Sequence, residues 1–151
     1  MPETFIPTND WLYRHIVEDS SIEVIYGGAA GTMRLWNKGA EEIFGWRAEE
    51  ALGRSMDLII PEKHRASHWE GYRRVMKTGV TKYDRAVLSV PALTKDGRRI
   101  SVEFNVVLLT APNGDVVGVA AFLQDITQRW ERDKALLKRL ATAEALAKGS
   151  K

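Results

Sequence analysis

The amino-acid sequence predicts an α+β domain: a five-stranded antiparallel sheet with short helices on one face, an N-terminal cap helix and a C-terminal amphipathic linker helix. Three observations carry this expectation. Two strand-like runs come first, several short helical stretches follow, and then come three more strand-like runs and a long helical run without glycine or proline. Asp96-Gly97 and Asn113-Gly114 separate the last three strand runs, and such pairs favour tight hairpins because these residues tolerate positive φ. Within the middle run, Ile100, Val102, Phe104, Val106 and Leu108 alternate with Ser101, Glu103 and Asn105, the pattern of a sheet with one dry face.

Taken in order, residues 9–18 begin with two capping-type side chains, Asn9 and Asp10, and place Trp11, Leu12, His15 and Ile16 at helical spacing. Ile22-Glu23-Val24-Ile25-Tyr26 and Thr32-Met33-Arg34-Leu35-Trp36 flank a glycine-rich turn and read as a hairpin. Residues 38–44 and 47–52 are short helical stretches ended by Gly45 and Gly53. Pro61 suits the first turn of a helix continuing to residue 78 and stopping at Gly79, with His68, Tyr72, Val75 and Met76 on one stripe. Strands are expected over 82–91, 100–110 and 116–125. The last is apolar on both faces, which suits a central strand or one whose second face is covered. Residues 130–147 form the closing helix, with leucines at 136, 137, 140 and 146. The spacing of 126, 130, 133, 137, 140 and 144 is that of a coiled coil interrupted by Asp133 and Glu144. This gives an N-terminal cap segment (1–20), a central domain (21–128) and a C-terminal linker helix (129–151).

Composition narrows the chemistry. The 151 residues are 44% hydrophobic and 28% charged, an ordinary balance for one folded core, so disorder and fibrous architectures are disfavoured. No apolar run approaches the roughly 20 residues needed to span a bilayer, so no membrane insertion is expected. The first ten residues lack a signal peptide's basic and apolar segments, which points to the cytoplasm. The net charge is +2, and the seven basic and three acidic residues from Arg129 onward supply the excess, too diffuse for a nucleic-acid surface. There is no cysteine, which removes disulfides, thiolate metal sites and thioester chemistry together. Gly27-Gly28-Ala29-Ala30-Gly31-Thr32 lacks the Gly-Lys-Ser/Thr ending of a phosphate loop and precedes a strand. No nucleophile-elbow serine or zinc-protease helix is present, so an enzyme is not expected. Arg65, Arg73, Arg74, Lys77 and Lys82 form a basic region that suits either a solvated helix face or an anionic partner.

Four stretches then resemble the PAS sensory domain family: the run from Trp36-Asn37-Lys38 through Ile43-Phe44-Gly45-Trp46, Glu49-Glu50-Ala51-Leu52-Gly53-Arg54, the Lys95-Asp96-Gly97 hairpin, and Asp125-Ile126-Thr127 at the end of the last strand. Their order and spacing, across about residues 12–128, make the signature specific. The resemblance implies the PAS-like form of the sheet, with a cavity between helices and sheet. It also implies that Asp125, Ile126, Thr127 and Trp130 transmit a signal to the closing helix. Read from the residues alone, Asp125 suits a bond to linker backbone or to Arg129 or Arg132, and Thr127 suits a helix cap. Members of this family bind flavin, haem, other small molecules or nothing. The absence of cysteine excludes a flavin-cysteinyl adduct and an attached coumaryl chromophore.

Pro61-Glu62-Lys63-His64-Arg65-Ala66-Ser67-His68, with Gly71-Tyr72 beyond, is similar to the haem-ligating helix of the rhizobial oxygen-sensing histidine kinases, with one extra residue between His68 and Gly71. This resemblance implies haem b with His68 as ligand to the iron, and a cofactor site formed with Tyr72, Leu88, Phe104, Val106, Ala121 and Leu123. Those kinases carry an arginine where this chain has Leu88. The plain reading of His68 is a helical histidine bonded to a backbone carbonyl or packed on Trp69, with His64 and His15 solvated. Phe104, Val106 and Leu88 would equally suit an ordinary core. The expected function is a sensor converting ligand or partner binding into a changed position of the closing helix. The alternatives are a haem sensor of gas or redox state and a ligand-free dimerisation or interaction module. A homodimer, and an output domain or partner outside this chain, are expected with each.

Overall fold

The computed structural model describes residues 4–81 and 87–149. Helix α1 spans Asn9–Glu18, strands β1 and β2 span Glu23–Gly28 and Met33–Trp36, and the short helices α2 and α3 span Lys38–Phe44 and Ala48–Ala51. A 3-10 turn at Met56–Ile59 leads into α4, Glu62–Thr78, and then come β3 (Leu88–Leu93), β4 (Arg99–Thr110), β5 (Val116–Asp125) and α5 (Thr127–Gly149). The strands form one antiparallel sheet in the order β2-β1-β5-β4-β3.

The apolar run 116–125 takes the centre of that sheet, where a strand loses solvent along both edges. Its inner side chains, Val119, Ala121 and Leu123, are buried with Ile25, Val102 and Val106 beneath the short helices. Phe44 and Met33 are fully buried, and Phe44 packs at 5.4 Å from the ring of Trp36. On the outer face Val107, Leu109 and Phe122 are exposed, so centrality explains the apolar pattern only in part. Gly45 and Gly79 end α2 and α4 with φ of 78° and 68°, the left-handed turn that glycine adopts without a Cβ clash.

Asn37 joins the N-terminal segment to this core. It is buried, and its Oδ1 accepts from the N–H groups of Val24 (2.9 Å) and Ala40 (3.0 Å), capping α2. Its Nδ2 donates to the carbonyls of Val17 and Ile22, both at 2.8 Å. Every polar atom of the side chain is therefore engaged, which fixes the end of α1 against β1.

Several boundaries differ from expectation for local reasons. Thr8, and not Asn9 or Asp10, caps α1, its Oγ1 accepting from Trp11 N–H. The 3-10 turn, unanticipated, is started by Ser55, whose Oγ accepts from Asp57 N–H, and buries Met56 and Ile59. Helix α5 starts at Thr127, earlier than its leucines suggest. Strand β3 runs past Pro91 to Leu93, which its edge position permits because the missing proline N–H leaves no ladder bond unmade. Residues 82–86 of the expected strand, with Lys82, lie outside the described residues.

Candidate functional site

Two places carry the chemistry: the inner sheet face under α4, and the junction where β5 becomes α5. The ladders set the first. Leu88 pairs with Phe104 and Phe104 with Leu123, while Val106 pairs with Ala121 and Ala121 with Ile25. The five strand residues expected at a cofactor site thus occupy two neighbouring rows of one face.

Above them, Tyr72 fastens α4 to β1. The residue is buried, and its hydroxyl lies 2.6 Å from the Gly28 carbonyl and 3.1 Å from that of Gly27. Burial, with Tyr26 nearby, pushes the phenol up to about 12, so it stays a donor throughout the physiological range. A Cβ on Gly27 would come within 2.9 Å of Met56 Sδ and 3.0 Å of the Tyr72 hydroxyl, so the bare backbone there lets α4 approach. Tyr72→Phe is expected to lower stability by about 1–2 kcal/mol, since the buried phenolic bond to the Gly27 and Gly28 carbonyls is lost and Gly28 keeps only the Gly31 N–H among the described donors, as denaturant unfolding would measure.

His68 lies one turn before Tyr72. Its ring packs edge-on to Trp69 at 4.8 Å and lies 5.8 Å from Tyr72, and its Nδ1 is buried without a hydrogen-bond partner. Burial lowers its pKa, opposed by the Asp57 carboxylate, which favours neutral imidazole. Of the two plain readings, the packing on Trp69 is the one found, and among the described residues Nδ1 has no backbone partner. His64 departs from the solvated reading: it is half-buried, with Nε2 buried and unpartnered. His15 is likewise half-buried, stacked on Trp11 at 3.8 Å with Nδ1 2.8 Å from the Trp11 carbonyl. Arg65 is committed to the 3-10 turn through the carbonyls of Ile60 and Asp57, while Arg73, Arg74 and Lys77 are an exposed helix face.

At the junction, Asp125 Oδ1 accepts from both the N–H and the hydroxyl of Thr127. Of the partners considered for Asp125, the linker backbone is thus the one engaged, while Arg129 pairs with Glu103 on β4. Ser101, on β4, donates its N–H to Thr127 Oγ1 (3.0 Å) and accepts from Ile126 N–H (2.9 Å). Ile126 is buried, and its carbonyl accepts from Trp130 N–H at 2.7 Å, opening the helical ladder of α5. The sheet and the first turn of α5 therefore share hydrogen bonds. Trp130 is 45% exposed and lies under Lys134, whose Nζ is 4.9 Å from the ring centre.

Two cavities border this junction. One, about 400 Å³, lies between β3, β4 and the start of α5, lined by Pro91, Arg99, Ser101, Thr127 and Trp130. The other, about 450 Å³, lies between β1, α2, β5 and α5, lined by Glu23, Ile43, Asp125, Ile126, Arg129 and Arg132. Glu23, Ser101 and Glu103 were not singled out from the sequence. Glu23 is 2% exposed, and burial pushes its carboxyl up to about 6 from near 4.5, with smaller upward contributions from Asp125 and Glu42. The folded chain therefore binds this proton more tightly than the unfolded chain. The resulting stabilisation is fully present below about pH 4.5 and is lost as pH rises through about 6. Glu23→Gln is expected to remove about 1–2 kcal/mol of this pH dependence, as unfolding at pH values on either side of the transition would measure.

A family profile described as PAS fold matches residues 17–131. An uncharacterised protein of Azorhizobium caulinodans is 35% identical over 130 residues, covering 85% of this chain and 17% of that protein. The sensor protein FixL of Bradyrhizobium diazoefficiens is 27% identical over 124 residues, covering 81% of this chain and 23% of that protein. The chain thus spans between a sixth and a quarter of the length of these relatives. Among solved structures, an RNA-binding light-oxygen-voltage receptor superimposes with a TM-score of 0.72 at 21% identity, covering 94% of this chain and 42% of that one. With a five-stranded antiparallel sheet in the order found here, short helices over one face, and a family match spanning most of its length, the chain belongs to the PAS fold family and is a sensory PAS domain.

Proposed function

We propose that this domain converts binding of a molecule at the inner sheet face under α4 into a changed position of α5, through Asp125, Ile126, Thr127 and Trp130. The observation that carries this reading is the pair of hydrogen bonds from Ser101 to the junction: a β4 residue holds both Ile126 and Thr127, so a displacement of β4 is felt by the first turn of α5. Phe104, Val106 and Leu108 lie on the same strand and line the inner face, so a molecule resting there acts on the strand that holds the helix. The ligand must prefer one position of β4 to the other, since equal affinity for both would shift nothing. Helix α5 has no buried residue, and Leu136, Leu137 and Leu140 are exposed, as suits a segment that docks on a second copy or an output domain outside this chain.

A second reading, haem b on His68, is favoured by one observation: a half-buried imidazole whose buried Nδ1 has no partner among the described residues, on a helix packed over an apolar sheet face. The unpartnered imidazole nitrogen and the apolar surround suit the group in kind, while the two cavities described above border the junction and not this face. Tyr72, Leu88, Phe104, Val106, Ala121 and Leu123 would surround it, with Leu88 adding no charge. Bound haem would supply an iron that takes a diatomic gas or an electron.

Native mass spectrometry with an absorption scan tests both. A retained small molecule is expected. A dimer that carries none, and shows no Soret band after haem reconstitution, would instead mark a ligand-free interaction module. A Soret band that survives His68→Ala would remove the ligand assignment.

A further inference from the structure

Among the described residues, Glu23 is the only charged side chain that is buried, and its Oε1 has no hydrogen-bond partner. It faces Leu123 across the β1–β5 ladder, two positions from Asp125, so the two carboxyl groups are diagonal neighbours on one face at the end of the sheet. The backbone N–H groups of Glu23 and Asp125 lie against the Glu23 carboxyl and favour its ionised form, while burial and the charges of Asp125 and of Glu42 on α2 oppose it. From α5, Arg129 and Arg132 line the same cavity. Arg129 is taken by Glu103, whereas Arg132 has no partner among the described residues. The cavity thus sets two carboxyl groups, one of them buried, beside an uncommitted guanidinium on the second turn of the outgoing helix.

We propose that a solvent proton bound at Glu23 gates the junction. Ionised Glu23, with Asp125, draws Arg132 into the cavity and holds the first turns of α5 to the sheet, and protonated Glu23 releases them. Burial strengthens this attraction, because a charge in a low-dielectric site acts on its neighbours with less screening. The gate rests on reading the junction as the outlet of the domain, but it operates with the inner face empty or filled.

The test is a nuclear magnetic resonance titration of the full chain between about pH 4 and 8, following the Glu23 carboxyl carbon and the amides of residues 125–132. Both are expected to share a midpoint near 6. In Glu23→Gln the amides should lose this transition and keep their acid-side positions throughout. In Arg132→Ala, an exposed substitution that leaves the core intact, the Glu23 midpoint should rise and the amide response should shrink. Titration of Glu23 in the ordinary carboxylate range would overturn the proposal. So would an amide transition unchanged in Glu23→Gln, or a midpoint and response both unaltered in Arg132→Ala. Because no ligand enters the measurement, a shared midpoint in a chain that binds no small molecule sustains the gate and counts only against the ligand reading.

Discussion

Phe44→Ala is expected to destabilise the domain by about 3–5 kcal/mol, the range for removing a fully buried aromatic ring whose cavity cannot collapse. The ring closes the core between Trp36 and the short helices, and the Phe44 carbonyl accepts from Lys95 N–H at 2.8 Å, so the same residue ties α2 to the β3–β4 hairpin. Truncation removes the packing and leaves that backbone bond without a fixed anchor. Denaturant unfolding would show a lower midpoint, and a loss below about 1 kcal/mol would mean that α2 does not hold the core shut.

Asn37→Ala should cost about 2–4 kcal/mol, although it removes little apolar surface. Alanine leaves the N–H groups of Val24 and Ala40 without their acceptor and the carbonyls of Val17 and Ile22 without their donor. Val24 and Ala40 are buried, so water cannot replace the lost acceptor without opening the structure. The damage should be local as well as global: amide exchange in α1 should accelerate more than in β5, because Asn37 fixes the end of α1 while β5 is held by both of its neighbours.

Much of this architecture can be read directly from residue patterns. The alternation from Ile100 to Leu108 places the inner face of β4, because it records burial along a single strand, and the apolar run 116–125 suits the central place that β5 takes although its outward Phe122 is exposed. The rows of Leu88, Phe104 and Leu123 and of Val106 and Ala121 follow once the hairpin turns set the register. Contacts between distant residues leave no such trace. Asn37 reaches 20 residues back to Val17, and Ser101 reaches 26 residues on to Thr127, and nothing in either residue's neighbourhood announces those bonds. Glu23 opens a strand in a position where an acidic residue ordinarily meets water, and only the packing of α2, β5 and α5 around it makes it a buried carboxyl. The 3-10 turn at Met56–Ile59 is too short to show a period, and the solvated reading of His64 fails because helix periodicity does not state what covers a side chain.

The sensing mechanism depends on the sheet and α5 being one mechanical unit at Ser101. Hydrogen exchange of the Ile126 amide, which donates to the Ser101 carbonyl, tests this most directly. Protection comparable to the β4–β5 ladder is predicted, with loss of the two together as denaturant is added. Exchange as rapid as that of the exposed last turns of α5 would mean that the helix detaches freely from the sheet, and that nothing bound at the inner face could steer it.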